Sequence, residues 1–204
     1  MTVTPVRVAV LASGGGTNVQ ALLHGLNDKG GSAARVVRVI SNRADAGALE
    51  RARRAEVPAL TVTDPLNAEE YVDAIGDAQL VVLAGFLKLI PRDVVSRFEW
   101  RMINIHPSLL PDFGGPGMYG VRVHAAVLAA RKKESGASIH YVTEEYDRGE
   151  VIARARVPVF PGDTPETLAQ RVLPVEHRLL PHVVRVLSLM GLPNHAVRLG
   201  DLDV

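Results

Sequence analysis

The order of apolar segments along the chain predicts an α/β fold: a mostly parallel sheet with helices on both faces, and an antiparallel strand pair in the C-terminal half. Three observations carry this. Short apolar runs of strand length alternate with segments whose apolar residues recur every three or four positions, the spacing of a helix. That β-α-β-α order lays successive strands side by side and parallel, joined by right-handed crossovers. In the second half, two strand-like runs are separated by the turn Tyr146-Asp147-Arg148-Gly149, a connection that suits antiparallel neighbours.

Taken in order, Val6 to Leu11 reads as a buried strand and Thr17 to Leu26 as a helix with Val19, Leu22, Leu23 and Leu26 on one face. Val36 to Ile40 is a second strand. Ala46 to Ala55 is a helix that stops before Pro58, because proline disfavours helix in the residue preceding it. Ala59 to Val62 reads as a short strand, Ala68 to Ile75 as a helix, and Leu80 to Ala84 as an entirely apolar strand. A short helical piece around Pro91 to Phe98 precedes the strand Met102 to Ile105. Pro107 to Val121, rich in Gly and Pro, reads as a long loop, and Val123 to Arg131 as a helix. Ala137 to Val142 and Val151 to Val159 form the expected antiparallel pair. Asp163 with Glu166 fits a capping box with Pro165 in the first turn, opening a helix to about Met190 that is interrupted or kinked near Pro174 and Pro181. The tail after Gly191 reads as loose strand or coil.

A chain of 204 residues, 47% hydrophobic and 22% charged, suits one globular domain over 1–204 with a sizeable core. The absence of cysteine excludes a disulfide framework, a thiolate metal site and a cysteine nucleophile, and it suits a reducing, cytoplasmic setting. A net charge of +1 argues against a nucleic-acid or membrane surface. Arg51, Arg53 and Arg54, the nearest approach to a basic run, read as a solvated helix face. The opening Met1-Thr2-Val3-Thr4-Pro5 is not the start of a signal peptide, and no apolar stretch approaches the ~20 residues of a membrane-spanning helix.

Between the first strand and first helix stands Ser13-Gly14-Gly15-Gly16-Thr17-Asn18. Glycines let the backbone approach an anion, and a helix N-terminus offers free N–H groups and the positive end of its dipole. Thr17 or Asn18 can add a side-chain donor, so a substrate phosphate is the natural ligand. The loop is not a P-loop, because no Gly-Lys-Ser/Thr follows at the required spacing. It is not a dinucleotide fingerprint either: Val19 stands where the third glycine belongs, and Ser41-Asn42-Arg43 after the second strand lacks the ribose-binding carboxylate.

Asn104-Ile105-His106-Pro107-Ser108-Leu109-Leu110-Pro111 is the most informative stretch. Asn104 and His106 are two apart at the carboxyl end of a strand, so both side chains leave on one face where α/β sheets bind ligands. An amide and a protonated imidazole there can both donate to the oxygen of a carbonyl under attack, and His106 can move a proton near neutral pH. A carboxylate would hold the histidine and favour its charged form; Asp147 is the candidate, a turn aspartate on any blander reading. His124, His177 and His182 have weaker claims, the first two reading as packing or surface residues of helices. His140, on the strand face of Ser138, reads equally as a support to the site or as structural. No spacing of His and carboxylates suits a metal.

Four segments, in order, resemble the folate-dependent formyltransferases that act on glycinamide ribonucleotide: Ser13 to Asn18, Leu83-Ala84-Gly85-Phe86-Leu87-Lys88-Leu89-Ile90, Asn104 to Pro111, and Asp147 with its turn. The third marks these formyltransferases as a group; the glycine loop and short length select the branch. The resemblance implies a Rossmann-like sheet, with a phosphate-binding half over 1–100 and a catalytic, folate-binding half over 101–204. It implies that Ser13, Gly14, Gly15, Gly16, Thr17 and Asn18 bind the substrate, the last three holding its phosphate, and that Glu176 binds its ribose hydroxyls. Asn104, His106 and Asp147 would be catalytic, with Leu87, Lys88, Leu89, Ile90, Val142, Thr143, Glu144, Asn104 and Asp147 around the folate. The implied co-substrate is 10-formyltetrahydrofolate, without metal or ATP, in a cytoplasmic monomer or homodimer of purine biosynthesis. Lys88 replaces an arginine common in the family, keeping the charge but not the planar fork. Ala68 or a neighbour stands where some members place another arginine. Gly114 to Gly120 is longer than in many members and is expected to shape the substrate entrance.

Overall fold

A computed structural model of the chain describes residues 4–28 and 32–204; Met1 to Val3, part of the opening read as no signal peptide, fall outside them. One eight-stranded sheet runs in the order β3-β2-β1-β4-β5-β6-β7-β8. Its first five strands are β1 (Val6–Leu11), β2 (Ala34–Ser41), β3 (Ala59–Thr61), β4 (Leu80–Leu83) and β5 (Met102–His106), all parallel to one another. β6 (Glu134–Tyr141) is antiparallel both to β5 and to β7 (Val151–Pro158). The expected hairpin is therefore present, and β6 also joins the parallel part of the sheet. β8 (Gly200–Asp201), two residues of the tail read as loose strand, pairs parallel with β7.

The two-residue period of a strand sorts the core into layers. In β1, Val8 and Val10 enter one apolar cluster while Ala9 and Leu11 enter the other. β4 divides likewise, Leu80 and Val82 against Val81 and Leu83. The first layer is closed by α1 (Thr17–Leu22), α2 (Gly47–Arg54), α5 (Val121–Ala129) and α6 (Pro165–Leu189), the second by α3 (Ala68–Ile75) and α4 (Arg92–Arg97). Helices therefore cover both faces, as the alternation requires. On β5, Ile103 and Ile105 point to the first layer and Met102 to the second. Asn104 and His106 share the parity of Met102, so they emerge on the face of α3 and α4.

Several boundaries differ from the sequence reading. α1 ends at Leu22, and Leu23–Asn27 continues as a π-helical turn. Gly25 in that turn lies so close to Pro181 that an added Cβ would sit 2.9 Å from the proline ring, which ties the wider turn to the packing of α6. α5 begins at Val121, earlier than Val123, and α6 runs without interruption past Pro174 and Pro181. Its buried stripe of Leu168, Val172, Val175, Leu179, Val183 and Leu187 packs along the first layer and offsets the backbone hydrogen bonds that two prolines remove. The capping box is one residue later than expected. The Thr164 hydroxyl accepts from Thr167 N at 3.3 Å, and the Thr167 hydroxyl accepts from Thr164 N at 2.9 Å. Asp163 instead forms a forked pair with Arg171 at 2.6 and 2.7 Å, which holds its carboxyl well below the usual range.

Candidate active site

A cavity of about 610 Å³ opens beyond the carboxyl ends of β4 and β5, within the range of roughly 300–1,000 Å³ usual for small-molecule sites. Asn104 and His106 form its floor together with His140, and Asp147 closes over them from the turn after β6. The register explains the meeting. Asn104 lies opposite His140 and His106 opposite Ser138, so all four side chains share a face. Ser138 Oγ donates to Ser108 O at 2.7 Å and accepts from Leu110 N at 3.0 Å, anchoring the chain that leaves β5.

Asp147 is held in left-handed backbone geometry, φ 56°, a conformation uncommon for non-glycine residues. Gly149 makes the turn possible, because a Cβ there would lie 1.7 Å from Tyr141 O. Asp147 Oδ2 accepts from Gly115 N at 2.9 Å. Its Oδ1 lies 3.5 Å from His106 Nδ1, 3.4 Å from His140 Nε2 and 3.4 Å from Asn104 Nδ2. Burial works against this carboxylate, yet the two imidazoles and the Gly115 N–H outweigh it and hold the group below the usual carboxylate range. Asn104 Nδ2 also lies 2.9 Å from His140 Nε2, and His140 Nδ1 faces Tyr141 O at 2.8 Å.

His106 differs from the sequence expectation of a charged imidazole. Burial lowers its pKa, and Asp147 and the Phe113 carbonyl only partly restore it. Its Nε2 donates to Phe113 O at 2.8 Å. In the free protein, then, the pair consists of an ionised Asp147 beside a histidine that favours its neutral form.

The acceptor-side residues lie around the start of α1. Gly16 adopts φ 74°, and an added Cβ would be 2.5 Å from Ala48 Cα, so only glycine fits. It caps α1 with no side-chain bond, leaving the N–H groups of the first turn open. Gly14 O accepts from Ala48 N and Gly15 O from Arg51 Nε, which fixes the loop's shape. Ser13 Oγ is fully engaged, donating to Asn42 Oδ1 at 2.6 Å and accepting from Leu87 N at 2.9 Å, so it joins the glycine loop to the far wall of the cavity. Asn18 reaches the cavity and donates to Glu176 Oε2 at 2.7 Å, while its own Oδ1 is buried with no partner. Burial pushes the Glu176 carboxyl up, and the Asn18 bond only partly offsets this. Thr17 is exposed and lines a neighbouring groove instead, beside Arg51 and His177.

Leu87, Lys88, Leu89, Ile90, Val142 and Thr143 all line the opposite wall. Leu87 and Leu89 are 49% and 46% exposed, an apolar lip at the cavity mouth. Glu144 turns away and pairs with Arg92 at 2.8 Å. Ala68 opens α3 and packs against the second layer. Gly115 to Gly120 borders the cavity, as expected of an entrance segment. Met118 and Tyr119 lie within that segment, and Tyr146 within the turn that carries Asp147; the sequence reading overlooked Gln170 and Leu173 on α6. Leu173 had a signal: it precedes Glu176 by three residues, close to one helical turn.

A family model described as formyl transferase matches residues 6–184. The chain is 44% identical over 187 residues to the chloroplastic phosphoribosylglycinamide formyltransferase of Arabidopsis thaliana, a match covering 87% of this chain and 64% of that protein. It thus spans a little under two thirds of that relative's length. Against the phosphoribosylglycinamide formyltransferase of Haemophilus influenzae it is 36% identical over 187 residues, covering 88% of this chain and 85% of the relative. The crystal structure of phosphoribosylglycinamide formyltransferase from Anaplasma phagocytophilum is similar with a TM-score of 0.83 at 36% identity, covering 92% of this chain and 89% of that one.

Proposed function

The chain belongs to the formyl transferase family, and on that premise we propose that it transfers the formyl group of 10-formyltetrahydrofolate to the amine of glycinamide ribonucleotide, a step of purine biosynthesis. The observation that carries the reading is the meeting of Asn104, His106 and Asp147 within 3.5 Å on the floor of the cavity. The names of the similar proteins supply the acceptor. The open first turn of α1 takes the acceptor's phosphate, and the Glu176 carboxylate accepts from its ribose hydroxyls. The Leu87 to Ile90 lip and the Val142 to Asp147 turn take the folate.

In this reading the acceptor's amine forms a bond to the formyl carbon while the bond from that carbon to the folate nitrogen breaks. Asn104 donates to the formyl oxygen as it gains negative charge. His106, neutral beforehand, leaves Phe113 O and carries its one proton on Nδ1 against Asp147, so that Nε2 takes up the proton that the amine loses and delivers it to the departing nitrogen. Asp147 stabilises the imidazolium between those two events. For the ring also to donate to the formyl oxygen, its Nε2 must exchange Phe113 O for substrate. The same reading has one domain over 1–204, with residues 1–100 serving the phosphate and 101–204 the folate and the chemistry. It has a cytoplasmic monomer or homodimer that needs no metal, nucleic acid or membrane. Among the described residues no helix is long and apolar enough to cross a membrane.

Purified protein mixed with both substrates should consume formyl-folate, followed by absorbance, only when both are present. His106→Ala should lower turnover by about 10²–10⁴-fold, the usual contribution of a proton-transfer group. Folate binding without turnover would point to a different amine acceptor. Neither binding nor turnover would refute the reading.

A further inference from the structure

The mechanism above leaves His124 unused. This residue of α5 is 3% exposed and lines the same cavity as His106. Its Nδ1 is buried with no hydrogen-bond partner, whereas His106 and His140 each have theirs. An apolar side chain would fill the same space without stranding a nitrogen, so a histidine here asks for an explanation. Burial, helped by the nearby His106, lowers its pKa and keeps one proton on the ring near neutral pH. A stranded N–H is harder to tolerate than a stranded acceptor. The proton therefore belongs on Nε2, the nitrogen that is not sealed off.

The position of α5 selects what that N–H can meet. α5 packs on α6, which brings Gln170, Leu173 and Glu176 to the cavity. His124 thus shares the α6 side of the cavity with the residues proposed for the acceptor. The acceptor of the proposed reaction carries a phosphate, ribose hydroxyls and an amide carbonyl. The glycine loop and Glu176 answer the first two. Glu176, an acceptor when ionised, cannot serve a carbonyl. We propose that His124 Nε2–H donates a hydrogen bond to the amide carbonyl of the acceptor and so determines specificity for an amide-bearing substrate. This rests on the formyl-transfer reading.

Glutamine can place a side-chain N–H near the position of imidazole Nε2, and asparagine near Nδ1. In steady-state assays His124→Asn and His124→Phe should raise KM for glycinamide ribonucleotide about 3–10-fold, the loss of one neutral hydrogen bond. His124→Gln should stay within about 2-fold of wild type by retaining it. In all three variants kcat and KM for 10-formyltetrahydrofolate should stay near wild type. A packing role would instead favour Phe over Gln. Equal KM values in the three variants, or a rise in KM for the folate, would overturn the proposal. Nitrogen-15 NMR of histidine-labelled protein should show the His124 ring protonated at Nε2, with that proton moving downfield when glycinamide ribonucleotide is added without folate. A ring protonated at Nδ1, or a signal indifferent to bound ligand, would also overturn it. Absence of ligand binding and turnover in wild type would remove both readings, whereas binding and turnover with a silent His124 would remove this one alone.

Discussion

Asn104 presents two amide hydrogens, and in the free protein both are directed at neighbours, His140 Nε2 and Asp147 Oδ1. The Tyr141 carbonyl can only accept, so His140 Nδ1 donates to it, which turns Nε2 toward the Asn104 amide at 2.9 Å. His140 thereby sets the rotation of the amide, and the second hydrogen is free to pass from Asp147 to the formyl oxygen. Asn104→Ala should lower kcat about 10²–10³-fold, the usual effect of removing an oxyanion donor. His140→Leu leaves the donor in place but lets it turn, so a fall of about tenfold in kcat, with little change in KM for either substrate, is expected from lost orientation. Initial-rate kinetics on both variants check this; an unaltered kcat in His140→Leu would show that the amide needs no such support. The spacing of Asn104 and His106 was readable because a strand's period is fixed. The place of His140 was not, because facing residues on antiparallel strands follow from register, which one sequence does not state. The charge of His106 was misjudged for a related reason: the pull of Asp147 could be guessed, but the opposing burial exists only once the chain is folded around the ring, with Phe113 of the loop against its Nε2.

At the scale of elements, the site depends on two tight backbone passages. Gly16 turns the chain from β1 into α1, and Gly149 returns it from the Asp147 turn toward β7. Alanine at 16 would meet Ala48 at 2.5 Å and be forced to φ 74°, and alanine at 149 would meet Tyr141 O at 1.7 Å. Each variant should be destabilised by at least about 1–3 kcal/mol. Calorimetric melting should show a fall of roughly 2–4 °C for each kcal/mol in a chain of this size. Gly16→Ala should in addition raise KM for glycinamide ribonucleotide and leave folate binding intact, whereas Gly149→Ala should mainly lower kcat. The opposite pattern would mean that the two turns serve the other substrate. Strand and helix order was legible because periodicity survives in short windows. The shifts came where a neighbour decided. Arg171 captured Asp163 and left capping to Thr164, and Pro181 packs against Gly25 at the π-helical turn after Leu22.

Across the whole molecule, folding withdraws several titratable groups from water, and their shifts make stability depend on pH. Burial lowers the pKa of His106, His124 and His177 below the ordinary value of 6.5. In that range the unfolded chain binds more protons than the folded one, so stability rises with pH. Their contribution is fully present above 6.5 and is lost as pH falls through the lowered values. Glu176 acts in the opposite sense. Its raised pKa means that the folded form takes up a proton first, so its contribution is present below the ordinary value of 4.5 and is lost as pH rises through the raised value. Asp147, with its lowered pKa, contributes above 3.8 and matters only in stronger acid. Three histidines set against one carboxylate should make the melting temperature fall as the solution is acidified from pH 7 through the window below 6.5. His124→Gln should flatten that fall, because one titrating group is removed. Glu176→Gln should steepen it, because the opposing uptake is removed. Calorimetric scans of the three proteins at constant ionic strength across this window would decide the matter. Parallel curves would mean that His124 and Glu176 are protonated alike in the folded and unfolded chain, and the cavity would then be wetter and more open than its burial implies.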